Sequence, residues 1–422
     1  MPERAESRRW RIALAGAVAL AVAMGIGRFA FTPLLPMMLH DGVIDMASAS
    51  WLASANYLGY LAGALLCTFE PWLRARLVGW SGTRPTTLVR AGLAVTVVLT
   101  LLMALPWAAT WPLLRFLAGV ASAFVFVHTS GWCLAQLAGL GSARMGGLIY
   151  IGPGAGIVVS GVAASAMVGW HWRAAGGWAL FGALAAWLTA MIWAVFDERR
   201  EPRGAPAAGL LREGAAPAPS LTTRASPTAA RLEVSLLAFA YGLAGFGYII
   251  SATFLPVIAR DALPGSAWLD LFWPLFGLGV MVGAALATQL PAAGDRRLLL
   301  AGAYLIQAAG IATTLWRADL AGFAFGSLML GLPFTAITFF AMQEVRRLRP
   351  ALVAAFMGLL TALYGIGQIL GPPLVAVLMH RGSSVGAGFR VSLEIAMAAL
   401  VVGALIYITS VRLYPLRRPT AA

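Results

Sequence analysis

Two arginines lie inside long apolar stretches of the chain, where a charged side chain is costly. Arg28 lies in the segment GIGRFAFTPLLP, within an apolar run over residues 12–38, and Arg115 lies near the start of the run over residues 111–137. A guanidinium inside a membrane-like environment normally faces a partner charge or a water-filled cavity. Because its planar fork matches carboxylate and phosphate groups, both arginines are candidates for substrate binding or gating.

Arg28 also has a structural interpretation, and the sequence leaves the two open. Gly25 and Gly27 weaken the helix of the first apolar run, and Pro33 and Pro36 each lack the backbone N–H that a regular helix uses. Arg28 could therefore cap the carbonyl groups that these residues expose and so hold a bent helix in place. The same alternative applies to Arg115.

Further polar side chains within the apolar runs are candidates for the same site. For each of them, a hydrogen bond between helices is the alternative interpretation. The candidates for substrate binding or gating are Asn56, Tyr57, Tyr248, Gln307 and Gln368. The candidates for proton coupling are His128, Asp270 and Glu394, of which the two acids are also candidate partners for Arg28 and Arg115.

Several kinds of chemistry are disfavoured by what the sequence lacks. The two cysteines, Cys67 and Cys133, lie in different apolar runs, so their spacing suggests neither a disulfide framework nor a metal site. The four histidines form no cluster with cysteines or acids. The chain has no lysine, which a Walker A motif requires. We therefore expect no catalytic residues, no metal and no cofactor, and a polytopic membrane enzyme is disfavoured.

The composition is that of a membrane protein. Of 422 residues, 60% are hydrophobic and 11% are charged, and the mean hydropathy is +0.82. A membrane-spanning helix needs about 20 apolar residues, and twelve runs of this kind occur. They lie near residues 12–38, 48–69, 88–108, 111–137, 144–168, 173–196, 233–259, 267–289, 297–316, 319–344, 351–379 and 387–411.

The distribution of arginine predicts the orientation of these helices. With the N-terminus inside, most arginines outside the apolar runs fall in inner segments. The outer segments hold Arg173, Arg260, Arg317, Arg381 and Arg390. This asymmetry favours cytoplasmic termini, and it accounts for the net charge of +14 without a nucleic-acid partner. All thirty basic residues are arginine, which together with the abundance of alanine and glycine favours a bacterial inner-membrane protein.

The twelve runs divide into two halves. Residues 197–232, rich in proline, alanine and arginine, predict a cytoplasmic linker between an N-terminal half at 12–196 and a C-terminal half at 233–411. Cytoplasmic ends are expected at residues 1–11 and 412–422.

The halves show an internal repeat. A shift of 220 residues superposes glycines, leucines, prolines and an alanine of the first two runs on those of the seventh and eighth. The pairs are Gly25 with Gly245, Gly27 with Gly247, Leu35 with Leu255, Pro36 with Pro256, Gly59 with Gly279, Gly63 with Gly283 and Ala64 with Ala284. Arg28 falls on Tyr248, and a slightly smaller shift pairs Gly119 with Gly331. Such duplication is typical of transporters whose halves enclose a central site.

At the level of motifs the chain resembles the major facilitator superfamily, and within it the bacterial YbfB/YjiJ-type branch. The segments that carry the branch resemblance are GIGRFAFTPLLPMM, WLASANYLGYLAGALL and YGLAGFGYIISATFLPVIAR. Arg115 and Gly119 match the superfamily's Arg-x-x-x-Gly motif. Gly152, Pro153 and Gly156 match the Gly-Pro-x-x-Gly packing motif of the fifth helix, with Ile157 where a second glycine is usual.

The loop after the second run, EPWLRARLVGWSG, lacks the superfamily's Gly-x-x-x-Asp-Arg pattern, whereas GDRR after the eighth keeps part of it. The resemblance implies an all-α membrane protein of twelve helices in two pseudo-repeated halves, with helices one, four, seven and ten lining a cavity. It implies a secondary active transporter that works by alternating access, and we expect an anionic substrate and coupling to protons. We expect the protein to function as a monomer, with a small-molecule substrate and membrane lipid as its partners. The alternative is a transporter-derived sensor or scaffold that binds a ligand without moving it.

Overall fold

The computed structural model describes most of the chain. The described residues are 2–76, 84–196, 227–263, 268–287, 289, 294–348, 353–382 and 384–416. Their regular structure is helical, and twelve of their helices are long and apolar enough to cross a membrane. The number of spans predicted from the sequence is therefore confirmed.

The first six of these helices, α1 to α6, form the N-terminal half. Helix α1 has three parts, which are Pro2–Leu20, a π-helical segment Ala21–Arg28, and Phe31–His40. The next helices are α2 (Met46–Arg76), α3 (Pro85–Leu102), α4 (Trp111–Gly139), α5 (Ile151–Gly169) and α6 (Ala174–Ile192). Short 3-10 turns at Ala108–Thr110, Ala143–Tyr150 and Trp193–Phe196 flank α4, α5 and α6.

The other six helices, α7 to α12, form the C-terminal half. They are α7 (Pro227–Ala262), α8 (Phe272–Ala287, after a 3-10 turn at Leu269–Leu271), α9 (Arg296–Trp316), α10 (Leu320–Gly331 and Phe334–Leu348), α11 (Val353–Arg381) and α12 (Val385–Leu413).

The helix ends differ by several residues from the predicted runs, and two of the differences involve proline. Helix α7 begins at Pro227, inside the predicted linker, because the first turn of a helix tolerates proline and the residues that follow are helix formers. Helix α10 is interrupted before Phe334, because Pro333 has no backbone N–H to continue the hydrogen-bond ladder. The remainder of the predicted linker, residues 197–226, lies outside the described residues.

Glycines let α5 pack directly on the backbone of α1. A Cβ atom added to Gly25 would lie 2.4 Å from the Cα of Gly156, and one added to Gly152 would lie 2.0 Å from the carbonyl oxygen of Ala17. Pro153 is buried next to Gly152. The GPGAG segment therefore brings two helices together, as expected for small residues in membrane helices.

The internal repeat is visible in the packing of each half. In the N-terminal half, a Cβ on Gly119 of α4 would lie 2.1 Å from the carbonyl oxygen of Asn56 on α2. In the C-terminal half, a Cβ on Gly331 of α10 would lie 2.2 Å from the carbonyl oxygen of Phe276 on α8. Asn56 and Phe276 are separated by the same 220 residues as the glycines that matched in sequence. The two halves thus use equivalent positions for equivalent contacts.

The halves meet along two helix pairs. Helix α2 packs against α11, and α5 packs against α8. At Gly365 of α11 the side chain of Leu61 comes within 3.1 Å of the position that a Cβ would take. Between α5 and α8, a Cβ on Gly154 would lie 2.7 Å from the carbonyl oxygen of Gly277. Between these two contacts, α1 and α7 face each other across the interface.

Candidate functional site

Arg28 lies at the end of the π-helical segment of α1, at the interface between the halves, and is 3% exposed. Its Nη2 donates a hydrogen bond of 2.8 Å to Oε1 of Gln368 on α11. The central guanidinium carbon lies 3.9 Å from the ring centroid of Tyr60, 5.3 Å from that of Phe29 and 5.4 Å from that of Tyr57. Aromatic faces attract a cation, so these rings offset part of the cost of burying the charge.

The charge of Arg28 has no acidic partner in the part of the chain that the structure describes. Within that part, neither Arg28 nor Arg115 forms an ion pair, and Nε of Arg28 has no hydrogen-bond partner. The Nε and Nη2 edge of Arg28 therefore presents one unpartnered N–H and one N–H that meets only the neutral amide of Gln368. A buried cation without a counter-charge is costly. A planar anion could accept hydrogen bonds from both groups.

Arg115 makes the carbonyl contacts that the structural interpretation of the two arginines describes. Its Nη1 and Nη2 donate to the carbonyl oxygens of Gly27 and Arg28, at 3.3 and 3.0 Å. Both carbonyls belong to the last two residues of the π-helical segment. Asn56 of α2 donates in turn to the carbonyl oxygen of Arg115, at 2.9 Å. Arg115, which is 2% exposed, thus binds the carbonyls of the irregular part of α1, whereas the guanidinium of Arg28 donates to Gln368 of the other half.

On the C-terminal side, Gln368 connects Arg28 to Tyr248. The Nε2 of Gln368 donates to the hydroxyl oxygen of Tyr248 on α7. The ring of Tyr248 stacks with that of Tyr364 at a centroid distance of 5.8 Å and meets the edge of Phe334 at 5.0 Å. Arg28 and Tyr248, which the repeat places in equivalent positions, are therefore linked through one side chain.

Three further hydrogen bonds join the halves on the side of Arg28 that leads to the α1–α2 loop. Thr32 of α1 donates to the carbonyl oxygen of Ala252 on α7 at 2.9 Å, and these two residues are repeat equivalents. The hydroxyls of Tyr57 and Thr253 lie 2.8 Å apart. Ser54 of α2 donates to a carbonyl on α11, that of Ile369, at 3.1 Å. At this end of the bundle the two halves are bonded to each other.

Other residues proposed from the sequence lie elsewhere. Asp270 forms an ion pair with Arg260, and Glu394 forms one with Arg390 on the exposed surface of α12.

Two candidates on α4 and α9 make local contacts. Nε2 of His128 lies 3.8 Å from the sulfur of Cys67. Gln307 donates to the carbonyl oxygen of Leu330 at 3.1 Å, which connects α9 to α10.

A separate cluster of charges, which was not predicted from the sequence, lies at the other end of the C-terminal half. Glu233 of α7 accepts hydrogen bonds from Arg297 and Arg347, at 2.7 and 2.8 Å. Glu344 accepts from Arg347, and Asp295 accepts from Arg297. Arg297 and Asp295 belong to the GDRR fragment. Because these residues come from α7, α9, α10 and the turn before α9, the cluster holds the ends of three helices together.

The aromatic residues Tyr60, Tyr241, Phe334 and Tyr364 were also missed, although spacing could have indicated three of them. Residues three, four or seven apart share a helix face. Tyr60 follows Tyr57 by three residues, Tyr364 precedes Gln368 by four, and Tyr241 precedes Tyr248 by seven. A search for aromatic residues on the faces of the polar candidates would have found them.

The sequence over residues 20–408 matches one family model, which is described as "Uncharacterised MFS-type transporter YbfB". MFS denotes the major facilitator superfamily. The chain belongs to this family. No curated protein sequence matches it.

Solved transporter structures share the fold. A variant of the nucleoside transporter NupG superposes with a TM-score of 0.69 at 13% identity, covering 94% of this chain and 99% of that one. A bacterial homologue of the human lysosomal transporter Spinster, in an inward-facing and unoccupied conformation, superposes with a TM-score of 0.66 at 14% identity, covering 98% and 99%. At these identities the likeness shows the fold alone. Together with the family match, it identifies a multi-pass membrane transporter of the major facilitator fold.

Proposed function

We propose that the protein is a secondary active transporter that moves a small anionic molecule by alternating access. The observation that carries this proposal is the buried guanidinium of Arg28, which faces a neutral amide and aromatic rings at the interface between the halves. In the empty protein its charge is uncompensated among the described residues. An anion would supply the missing counter-charge, so affinity for anions follows from the electrostatics of the site.

Binding would change a contact between the halves. An anion that accepts from Nε and Nη2 of Arg28 takes the place of Oε1 of Gln368. Since Gln368 and Tyr248 both belong to the C-terminal half, their own hydrogen bond can persist while the bond to Arg28 is lost. Arg115 acts as a positioning residue, because it holds the backbone of α1 that presents Arg28.

Alternating access requires the two halves to separate at one end and then at the other. The bonds of Thr32, Ser54 and Tyr57 to the C-terminal half must break when the end with the α1–α2 loop opens, and form again when it closes. Each is a single neutral hydrogen bond, worth about 1 kcal/mol. Because these bonds are weak, a bound ligand can shift the equilibrium between the closed and the open form of this end of the bundle.

Coupling to the proton gradient is part of the proposal. The titratable candidates from the sequence are His128, Asp270 and Glu394. His128 is 8% exposed and lies on α4, one of the helices expected to line the cavity. Asp270 and Glu394 lie outside the helices expected to line the cavity and form ion pairs with arginines. We therefore propose His128 as the coupling residue because of its place on α4.

The arginine distribution supports a bacterial inner membrane as the location, with both termini and the linker in the cytoplasm. In this orientation the α1–α2 loop faces outward. We propose a monomer as the functional unit, with a small molecule and membrane lipid as its partners and no nucleic acid.

Transport by purified protein in proteoliposomes tests the proposal. A panel of labelled small carboxylates, phosphates and neutral metabolites is offered with and without a pH gradient. Accumulation of an anion without ATP, and its loss when the proton gradient is dissipated, is the expected result. Arg28→Gln should abolish this accumulation. Arg317→Gln, at an arginine whose side chain is 66% exposed, is the matched control and should transport as the wild type does. Binding without accumulation or exchange would instead indicate a sensor.

A further inference from the structure

The rings around Arg28 belong to a larger aromatic group that spans both halves. On the C-terminal side, the rings of Tyr241 and Tyr364 lie 4.8 Å apart at an interplanar angle of 33°. Tyr364 and Tyr248 lie 5.8 Å apart at 24°. The three tyrosines lie along α7 and α11, in a group that extends toward Arg28. On the N-terminal side, Tyr60 places its ring 3.9 Å from the guanidinium carbon of Arg28.

Tyr60 and Tyr364 occupy matching places on the two halves. Tyr60 directly precedes Leu61, and Tyr364 directly precedes Gly365, where α2 and α11 touch. The two rings therefore lie at similar depth on either side of the interface. Both are only partly buried, whereas Tyr57 and Tyr248 are 4% and 1% exposed. Part of the surface of Tyr60 and of Tyr364 is therefore not covered by protein.

The free hydrogen-bonding capacity of the site matches one carboxylate. Both terminal nitrogens of Arg115 are committed to backbone carbonyls. The Nε of Arg115 has no hydrogen-bond partner either, but the adjacent terminal nitrogens are held by α1. At Arg28 the edge formed by Nε and Nη2 meets only the neutral amide of Gln368. One guanidinium edge with two donors suits a planar carboxylate better than a phosphate, which carries more acceptor oxygens than the edge can bind.

From these observations we infer that the substrate is an aromatic monocarboxylate, whose carboxylate binds the Nε and Nη2 edge of Arg28 and whose ring packs against Tyr60 and Tyr364. This inference rests on the proposed anion transport and names its substrate class. Stacking between aromatic rings adds to the burial of apolar area. The site therefore distinguishes an aromatic acid from a saturated acid of the same charge and similar size.

Binding of benzoate and cyclohexanecarboxylate to the full chain in nanodiscs tests the inference by titration. Benzamide serves as the neutral analogue, and acetate and phosphate as anions without a ring. We expect benzoate to bind about two- to tenfold more tightly than cyclohexanecarboxylate, although the saturated ring is the more hydrophobic. Benzamide, acetate and phosphate are expected to bind more weakly than benzoate.

Variants of Tyr364 separate the role of the ring from that of the hydroxyl. Tyr364→Phe should retain the preference for benzoate, and Tyr364→Leu should reduce it to near one. Phe325→Leu, at a ring that is 63% exposed, is the control and should bind as the wild type does.

Two outcomes count against different parts of the argument. If both ring acids bind equally and Tyr364→Leu changes neither, or if phosphate binds most tightly, the aromatic inference is overturned and anion binding stands. If none of the anions binds in preference to benzamide, the proposed function fails as well.

Discussion

Replacing Arg115 by methionine removes the two donors that cap the carbonyls of Gly27 and Arg28, while it keeps a long apolar side chain between α1 and α4. The guanidinium is charged in both bonds; the bond to Arg28 at 3.0 Å is worth about 1.5–3 kcal/mol, and the longer bond to Gly27 at 3.3 Å about 0.5–1.5 kcal/mol. Removing a buried charge is itself favourable, and this offsets part of the lost hydrogen-bond energy. We expect the free energy of unfolding to fall by about 1–3 kcal/mol.

The assay is thermal unfolding of purified protein in detergent. A loss of this size should lower the midpoint by roughly 2–6 °C. Arg390→Met is the control and should leave the midpoint unchanged within error, because an exposed ion pair contributes little. An Arg115→Met protein as stable as the wild type would refute the assignment of Arg115 as the cap of α1.

Three other predictions concern regions away from the site. Arg297→Met leaves Glu233 without one of its two cationic partners, and we expect a loss of stability of about 3–5 kcal/mol, visible as poor recovery of folded protein in size-exclusion chromatography. Burial raises the pKa of Asp295, but hydrogen bonds from Arg297 outweigh this and hold that pKa below its usual value of 3.8. Its stabilising contribution should therefore be complete above about pH 4 and decline as the pH falls through the lower folded pKa, and in thermal scans Asp295→Asn should show a smaller decline at acidic pH than the wild type. Reporter fusions after Ala215 and at the C-terminus should report cytoplasm, and one in the loop at residues 41–45 should report the periplasm; a periplasmic signal after Ala215 would contradict the proposed orientation.

The fold could be predicted because each membrane helix carries its own signal, an apolar run of sufficient length. The internal repeat also indicated which residues of the two halves lie near each other, because equivalent positions face each other across the interface. Thr32 and Ala252 are bonded to each other in this way. Arg28 and Tyr248 are linked through Gln368.

The roles of the two arginines could not be separated from the sequence. That distinction depends on where α4 crosses α1, and on a π-helical segment whose residues have no distinctive pattern. The cluster of Glu233, Arg297 and Glu344 was missed for a related reason. Its members come from helices far apart in the sequence, and each taken alone resembles an ordinary charge at a helix end.

The effect of anions on the thermal stability of the wild type, compared with their effect on Arg28→Gln, tests the central claim most directly. Thermal midpoints of the wild type, Arg28→Gln and Arg28→Lys are measured at constant ionic strength with benzoate, acetate or phosphate. The empty Arg28→Gln protein should be as stable as the wild type or slightly more stable, because a buried uncompensated charge has been removed. It should lose the increase in midpoint that anions give the wild type, and Arg28→Lys should keep part of it, since an ammonium lacks the planar fork. A destabilised Arg28→Gln protein that anions still stabilise as they do the wild type, or a wild type that none of the three stabilises, would contradict the account.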